Sequence, residues 1–140
     1  MVTPPEERPW PGRSATRTFR LTAGLVDAFV ALSGDSSALH VSSDAARALG
    51  FEDRVVHGLL LASLISGLVG TELPGDRGVL QNVDLAFRNP CYVGDEVRAH
   101  VRVEDYIESV RTLILKVQVE RQDGTVLVTG TLRSGLRALA

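Results

Sequence analysis

The spacing of apolar residues changes once along the chain, from a helical period near 3.6 to a strand period of 2. Residues 14–20 alternate and predict a short strand. Thr22 is placed to cap a helix over 23–33, in which Leu25, Phe29 and Leu32 recur at i, i+4 and i+7. Gly34 stands where a helix C-terminus needs a left-handed residue. A short helix is expected at 43–49, ended by Gly50, and the loop Phe51 to Val56 leads to a helix over 57–72. No charge falls between Gly58 and Thr71, so this helix is apolar on nearly every face and predicts a wholly buried core helix. Gly67 and Gly70 each cost about 1 kcal/mol of helix propensity relative to Ala. The expected compensation is close approach of another backbone. Pro74-Gly75 ends the helix.

Beyond that point the pattern alternates. Val79, Val83, Leu85 and Phe87 share one parity against Asn82, Asp84 and Arg88. Val97, Ala99, Val101 and Val103 alternate with Arg98, His100, Arg102 and Glu104; Leu113, Leu115, Val117 and Val119 alternate with Lys116, Gln118 and Glu120. Val126, Val128, Gly130 and Leu132 fall together in the last strand, and Asp123-Gly124 is a hairpin signal before it. Such strands place one face on a core and one in water. Helices followed by antiparallel strands predict an α+β fold, with one buried helix wrapped by a curved sheet.

Composition narrows the function classes. The chain has 140 residues, 44% of them hydrophobic, and a formal net charge of −2 that is balanced in both halves. No basic stripe tracks along it, which argues against nucleic acid. A single cysteine, Cys91, excludes an intrachain disulfide. Four prolines crowd the first 11 residues, where a secretory signal would need an apolar run. Residues 1–12 are therefore expected to form a flexible arm, and 13–140 a single domain. The apolar stretch Leu59 to Val69 is too short to span a bilayer, so no membrane role is expected. A cytoplasmic location is expected.

Few residues can carry chemistry. Asp35 and His40 lie five apart in a turn-rich stretch. A carboxylate and an imidazole held together can bind one water and exchange protons with it. The plainer reading is a helix stop at Gly34-Asp35 with His40 packed behind it. His57-Gly58 opens the uncharged helix, whose first N–H groups and positive dipole end can polarise a carbonyl. Gly58 would let that carbonyl approach, or would only permit tight packing. His100 is expected on a solvent face, and Cys91 as a small packed residue. Asp35, His40 and His57 match no common metal-site spacing, so no metal is expected.

Taken together, these stretches carry a resemblance. Phe29-x-x-Leu32-Ser33-Gly34-Asp35-x-x-x-Leu39-His40 resembles the hydratase motif of MaoC-like dehydratases, in particular of (R)-specific enoyl-CoA hydratases. The likeness continues through Val55 to Leu68, then Asp84 to Pro90 and Val93 to Val97, in order and over nearly the whole chain. It implies a hot-dog fold and reversible hydration of trans-2-enoyl thioesters to (R)-3-hydroxyacyl thioesters, in fatty acid or polyketide metabolism. Asp35 and His40 would activate the water and manage the proton at C2, and the Gly58 N–H would hold the thioester oxygen. Ser66, Ser37 and His57 would support them. The carrier would be coenzyme A or an acyl carrier protein, the assembly a homodimer, and no cofactor would be needed. One departure stands out: the family's usual Asn-Pro between the aspartate and the histidine is Ser37-Ala38 here. Losing Pro frees a backbone angle, and Ser37 replaces only part of the Asn hydrogen bonding.

Two other functions fit the same fold. A hot-dog thioesterase commonly carries an acidic residue in its central helix, and this helix has none. A non-catalytic acyl-binding subunit would account for Ser37-Ala38, whereas the retained Asp35, His40 and Ser66 favour turnover.

Overall fold

The computed structural model describes residues 9–138. Strand β1 (Ser14–Arg20) is followed by helices α1 (Ala23–Ser33), α2 (Ala38–Val41), α3 (Ser43–Ala48) and α4 (Gly58–Thr71). Strands β2 (Gly78–Phe87), β3 (Glu96–Ile107), β4 (Thr112–Arg121) and β5 (Val126–Leu136) complete the chain. The five strands form one antiparallel sheet in the order β1-β3-β4-β5-β2. The sheet wraps α4, the hot-dog arrangement of an α+β protein. Among the described residues no helix is long and apolar enough to cross a membrane. Residues 1–8 of the expected arm lie outside the described residues. Its last part is held to the sheet: Trp10 packs against the core, and the Gly12 N–H donates to the Val103 carbonyl at 2.8 Å.

The central strands follow their alternation. Val97, Ala99, Val101 and Val103 of β3 and Leu113, Leu115, Val117 and Val119 of β4 are all buried. Their register pairs Val101 with Val117 and Val103 with Leu115, so the apolar parity of both strands faces one core. His100, on the other parity, is exposed and bonds Thr16 Oγ1 through Nδ1 at 2.6 Å. Gly124 has φ 87°, the left-handed conformation its turn requires.

Three packing expectations need correction. Helix α1 has its expected cap, Thr22 accepting from the Leu25 N–H at 3.2 Å, and Gly34 ends it at φ 74°. Its inner face is Val26 and Phe29, however; Leu25 and Leu32 are exposed. Helix α4 is buried on one side only, through Leu60, Leu61, Ile65, Leu68 and Val69. Each of these contributes about 1.5–3 kcal/mol, which outweighs the cost of two glycines. Among the described residues no other backbone approaches Gly67 or Gly70: a Cβ at either would meet nothing within 4 Å. A single five-stranded sheet covers one side of the helix and leaves Leu59, Ser63, Ser66, Gly67 and Gly70 exposed.

Strand β2 departs furthest. Of its predicted inward parity only Leu85 packs against the core; Val79, Val83 and Phe87 are each about half exposed. The register slips between Leu80 and Asn82, which turns Val79 to the other face; Val83 and Phe87, across from Leu132 and Val128, keep the inward parity but lie on an edge strand without cover. Helix α2, four residues long and carrying His40, is also absent from the apolar pattern.

Candidate active site

Asp35 follows the glycine that ends α1, so its loop is fixed by local bonds. Ser33 Oγ donates to the Phe29 carbonyl at 2.7 Å and accepts the Asp35 N–H at 3.1 Å. Ser37 then donates twice to Asp35 Oδ1, from its hydroxyl at 2.9 Å and its backbone N–H at 3.3 Å. These two bonds, the hydroxyl's foremost, hold the Asp35 carboxyl below the usual carboxylate range against an opposing effect of desolvation. The proximity of His40 and His57 adds to the depression. Oδ2 is left facing the two rings.

His40 is positioned by α2 and by the segment before α4. Its Nδ1 lies 2.6 Å from the Val55 carbonyl, which only accepts, so Nδ1 carries the proton. The Nε2 lone pair is thereby turned toward Asp35 Oδ2, 3.8 Å away. That separation is too long for a direct hydrogen bond, and it suits one water bonded to both groups. Arg54 braces the same region: its Nε donates to the His40 carbonyl at 2.8 Å and its guanidinium pairs with Asp27 at 2.8 Å.

His57 is buried beneath the pair at 2% exposure. Its ring stacks on His40 at 3.7 Å with 21° between planes, and its Nε2 donates to the Asp35 backbone carbonyl at 2.9 Å. The ligand-type atoms of Asp35, His40 and His57 all lie within 4.8 Å of one another. They do not make a ready cation site, because the His57 nitrogen near Asp35 is already spent as a donor.

Gly58 begins α4 directly after His57. The N–H groups of Leu60 and Leu61 turn back to the His57 carbonyl, while those of Gly58 and Leu59 have no acceptor among the described residues. The first turn thus offers donors at a positive helix end. A Cβ at Gly58 would come within 2.8 Å of the Phe87 ring. A larger residue there would have to displace the half-exposed Phe87 ring, so glycine also serves the packing of that side chain.

One cavity of about 710 Å³ joins these groups. Asp35, His40, His57 and Gly58 line it together with apolar walls that include Phe29, Phe51, Val56 and Leu61. Cys91 is in its wall, where burial pushes the thiol up to about 12, so it serves as a small apolar surface. Ser37 reaches the site through Asp35. Ser66 does not join it: it is on the exposed face of α4, about 13 Å along the helix from His57, and is not in the cavity wall. The Val55 carbonyl, Ser33 and Phe87 are further contributors that motif reasoning passed over. A backbone carbonyl leaves no mark in sequence, whereas Ser33 could have been found as the residue two before Asp35, where a hydroxyl supports a turn.

Comparison with known proteins bears on the family and the fold. A family model described as "MaoC like domain" matches residues 6–125. The chain is 41% identical over 119 residues to an (R)-specific enoyl-CoA hydratase of Aeromonas caviae, a match covering 85% of this chain and 89% of that protein. It is 37% identical over 92 residues to an (R)-specific enoyl-CoA hydratase of Rhodospirillum rubrum, covering 66% of this chain and 64% of the relative. The solved structure of an (R)-hydratase from A. caviae involved in PHA biosynthesis superposes with a TM-score of 0.88 at 38% identity, over 93% of this chain and 98% of that one. An R-hydratase structure from Pseudomonas aeruginosa superposes at 0.86 with 26% identity, over 92% of this chain and 83% of that one. With the motif, the wrapped helix and these matches in agreement, the chain belongs to the MaoC-like domain family.

Proposed function

We propose that this protein is a hydratase/dehydratase that adds water reversibly across trans-2-enoyl thioesters to give (R)-3-hydroxyacyl thioesters. The observation that carries this reading is the 3.8 Å gap between Asp35 Oδ2 and His40 Nε2 in the same cavity as the free N–H of Gly58. Water held in that gap loses a proton to the pair as its oxygen bonds to C3. The double-bond electrons move toward the thioester carbonyl, and the Gly58 N–H stabilises the oxygen as enolate character grows. A proton passes from the pair to C2, so the net addition is one water and the enzyme returns to its starting charge. Names of relatives support the substrate class: besides the two hydratases, a 3-hydroxybutyryl-CoA dehydratase of Methylorubrum extorquens is 36% identical over 99 residues.

The carrier is coenzyme A or an acyl carrier protein, and one domain over 13–140 holds the whole site. Two copies pair as a homodimer through β2 and the outer face of α4, where Val79, Val83, Phe87 and Leu59 are exposed. The buried, reduced thiol of Cys91 fits a cytoplasmic enzyme.

The test is ultraviolet loss of the enoyl thioester with crotonyl-CoA. Asp35→Ala and His40→Ala are each expected to lower kcat by about 10²–10⁴-fold. Near wild-type rates in either variant would remove that residue from the mechanism. Steady release of free thiol, without hydration, would indicate a thioesterase instead.

A further inference from the structure

We propose that His57 is the positioning residue of this site: it sets the gap between Asp35 and His40 by tethering the one and backing the other. The proposal rests on the reading that Asp35 and His40 carry the hydration.

The contacts that place the two members of the pair are of different reach. Asp35 is bonded by Ser33, the last residue of α1, and by Ser37, each two residues away, so these bonds hold the loop to α1 but not to α4. The bond from His57 Nε2 to the Asp35 carbonyl spans 22 residues and ties that loop to the start of α4. His40 is pinned at Nδ1 by the Val55 carbonyl, which still allows the ring to tilt about that single bond. The stacked face of His57, 3.7 Å away, removes the tilt. Phe29 closes a second side of His57 at 4.8 Å, so the backing ring is itself held. Through its backbone carbonyl, which accepts from Leu60 and Leu61, the same residue also shapes the first turn of α4 beside Gly58.

The choice of histidine follows from using both features of the ring. Its Nδ1 is buried without a partner among the described residues, so the ring makes one polar bond there. Gln would provide that donor alone, and Phe would provide the flat face alone. A displacement of about 1 Å in a reacting group can cost 10²-fold in rate, so both features matter to turnover.

Three variants separate the features. His57→Phe keeps the face, His57→Gln keeps the donor, and His57→Ala keeps neither. With crotonyl-CoA, kcat is expected to fall about 10-fold or more in the first two and about 100-fold or more in the third, with KM within about threefold of wild type. A purely structural role would lower the thermal midpoint while leaving kcat of the folded fraction unchanged. In an Asp35→Ala background, His57→Phe should lower the rate no further. Nitrogen-15 spectra of the wild-type protein should show the proton on Nε2 of His57 and on Nδ1 of His40. Wild-type kcat in both His57→Phe and His57→Gln, or a His57 proton on Nδ1, would overturn the proposal. If Asp35→Ala itself stays active, the assignment of the pair fails; if it is inactive while every His57 variant turns over normally, the pair stands and the positioning role is lost.

Discussion

The two edges of the sheet are built differently. Strand β1 is seven residues long and carries Arg17 and Arg20. Arg17 pairs with Glu72 just beyond α4 at 2.9 Å and reaches Thr71 at 3.2 Å, and Arg20 pairs with Glu96 at 3.4 Å. Charge on a short strand discourages another strand from adding to it. Strand β2 is ten residues long, and Asp84 is its one charged residue. Val79, Leu80, Val83 and Phe87 are exposed along it. A long apolar edge invites a partner. The site is at that same side, since Phe87 lies against Gly58. One edge is thus charged and paired within its own chain, and the other is apolar and exposed.

The largest effect belongs between the edges. Leu115 of β4 is fully buried, with Val103 and Leu132 across from it. Leu115→Ala should destabilise the chain by about 2–5 kcal/mol in denaturant unfolding, irrespective of protein concentration. The edge contrast itself is tested next. Val83→Lys on β2 should weaken self-association at least about 100-fold in sedimentation, roughly 2.7 kcal/mol, while Thr18→Lys on β1 should leave it unchanged. Equal behaviour of the two variants would erase the distinction.

A smaller change probes the outer face of α4. Gly67→Ala meets nothing within 4 Å in the chain and should raise stability by up to about 1 kcal/mol. A fall in thermal midpoint with loss of the dimer would instead mean that a second backbone lies against Gly67. The smallest effect concerns the site rather than either edge. Ser37→Ala removes the main bond that favours the charged Asp35 carboxylate, so its pKa rises toward the ordinary value. In the proposed mechanism the ionised form is the active one, so the acid limb of the pH–rate profile should move to higher pH, with the rate near neutrality little changed. An unmoved acid limb would assign that limb to another group.

Alternation was a reliable guide in the central strands β3 and β4. In β3 and β4 every expected core position is buried, because a slip of one residue would turn all of them to solvent. It failed in β2, where the strand has one neighbour and an extra residue at the slip. Periodicity located α4 within a residue at each end but misjudged what covers it. Apolar residues show that a surface prefers to leave water; they do not say whether the cover comes from this chain or another.

The sequence by itself determined the order of every strand and helix but α2, the cap of α1 and the glycine stop before Asp35. Through its motif it also brought Asp35, His40 and Gly58 forward together. These are local properties, set by propensity and by backbone freedom at a few positions. Tertiary structure alone decided that the Val55 carbonyl directs the His40 proton and that His57 reaches back to the Asp35 loop. It also placed Ser66 away from the cavity and left β2 uncovered. Each of these depends on atoms distant in the chain meeting within a few ångströms, and no spacing along the sequence encodes such a distance.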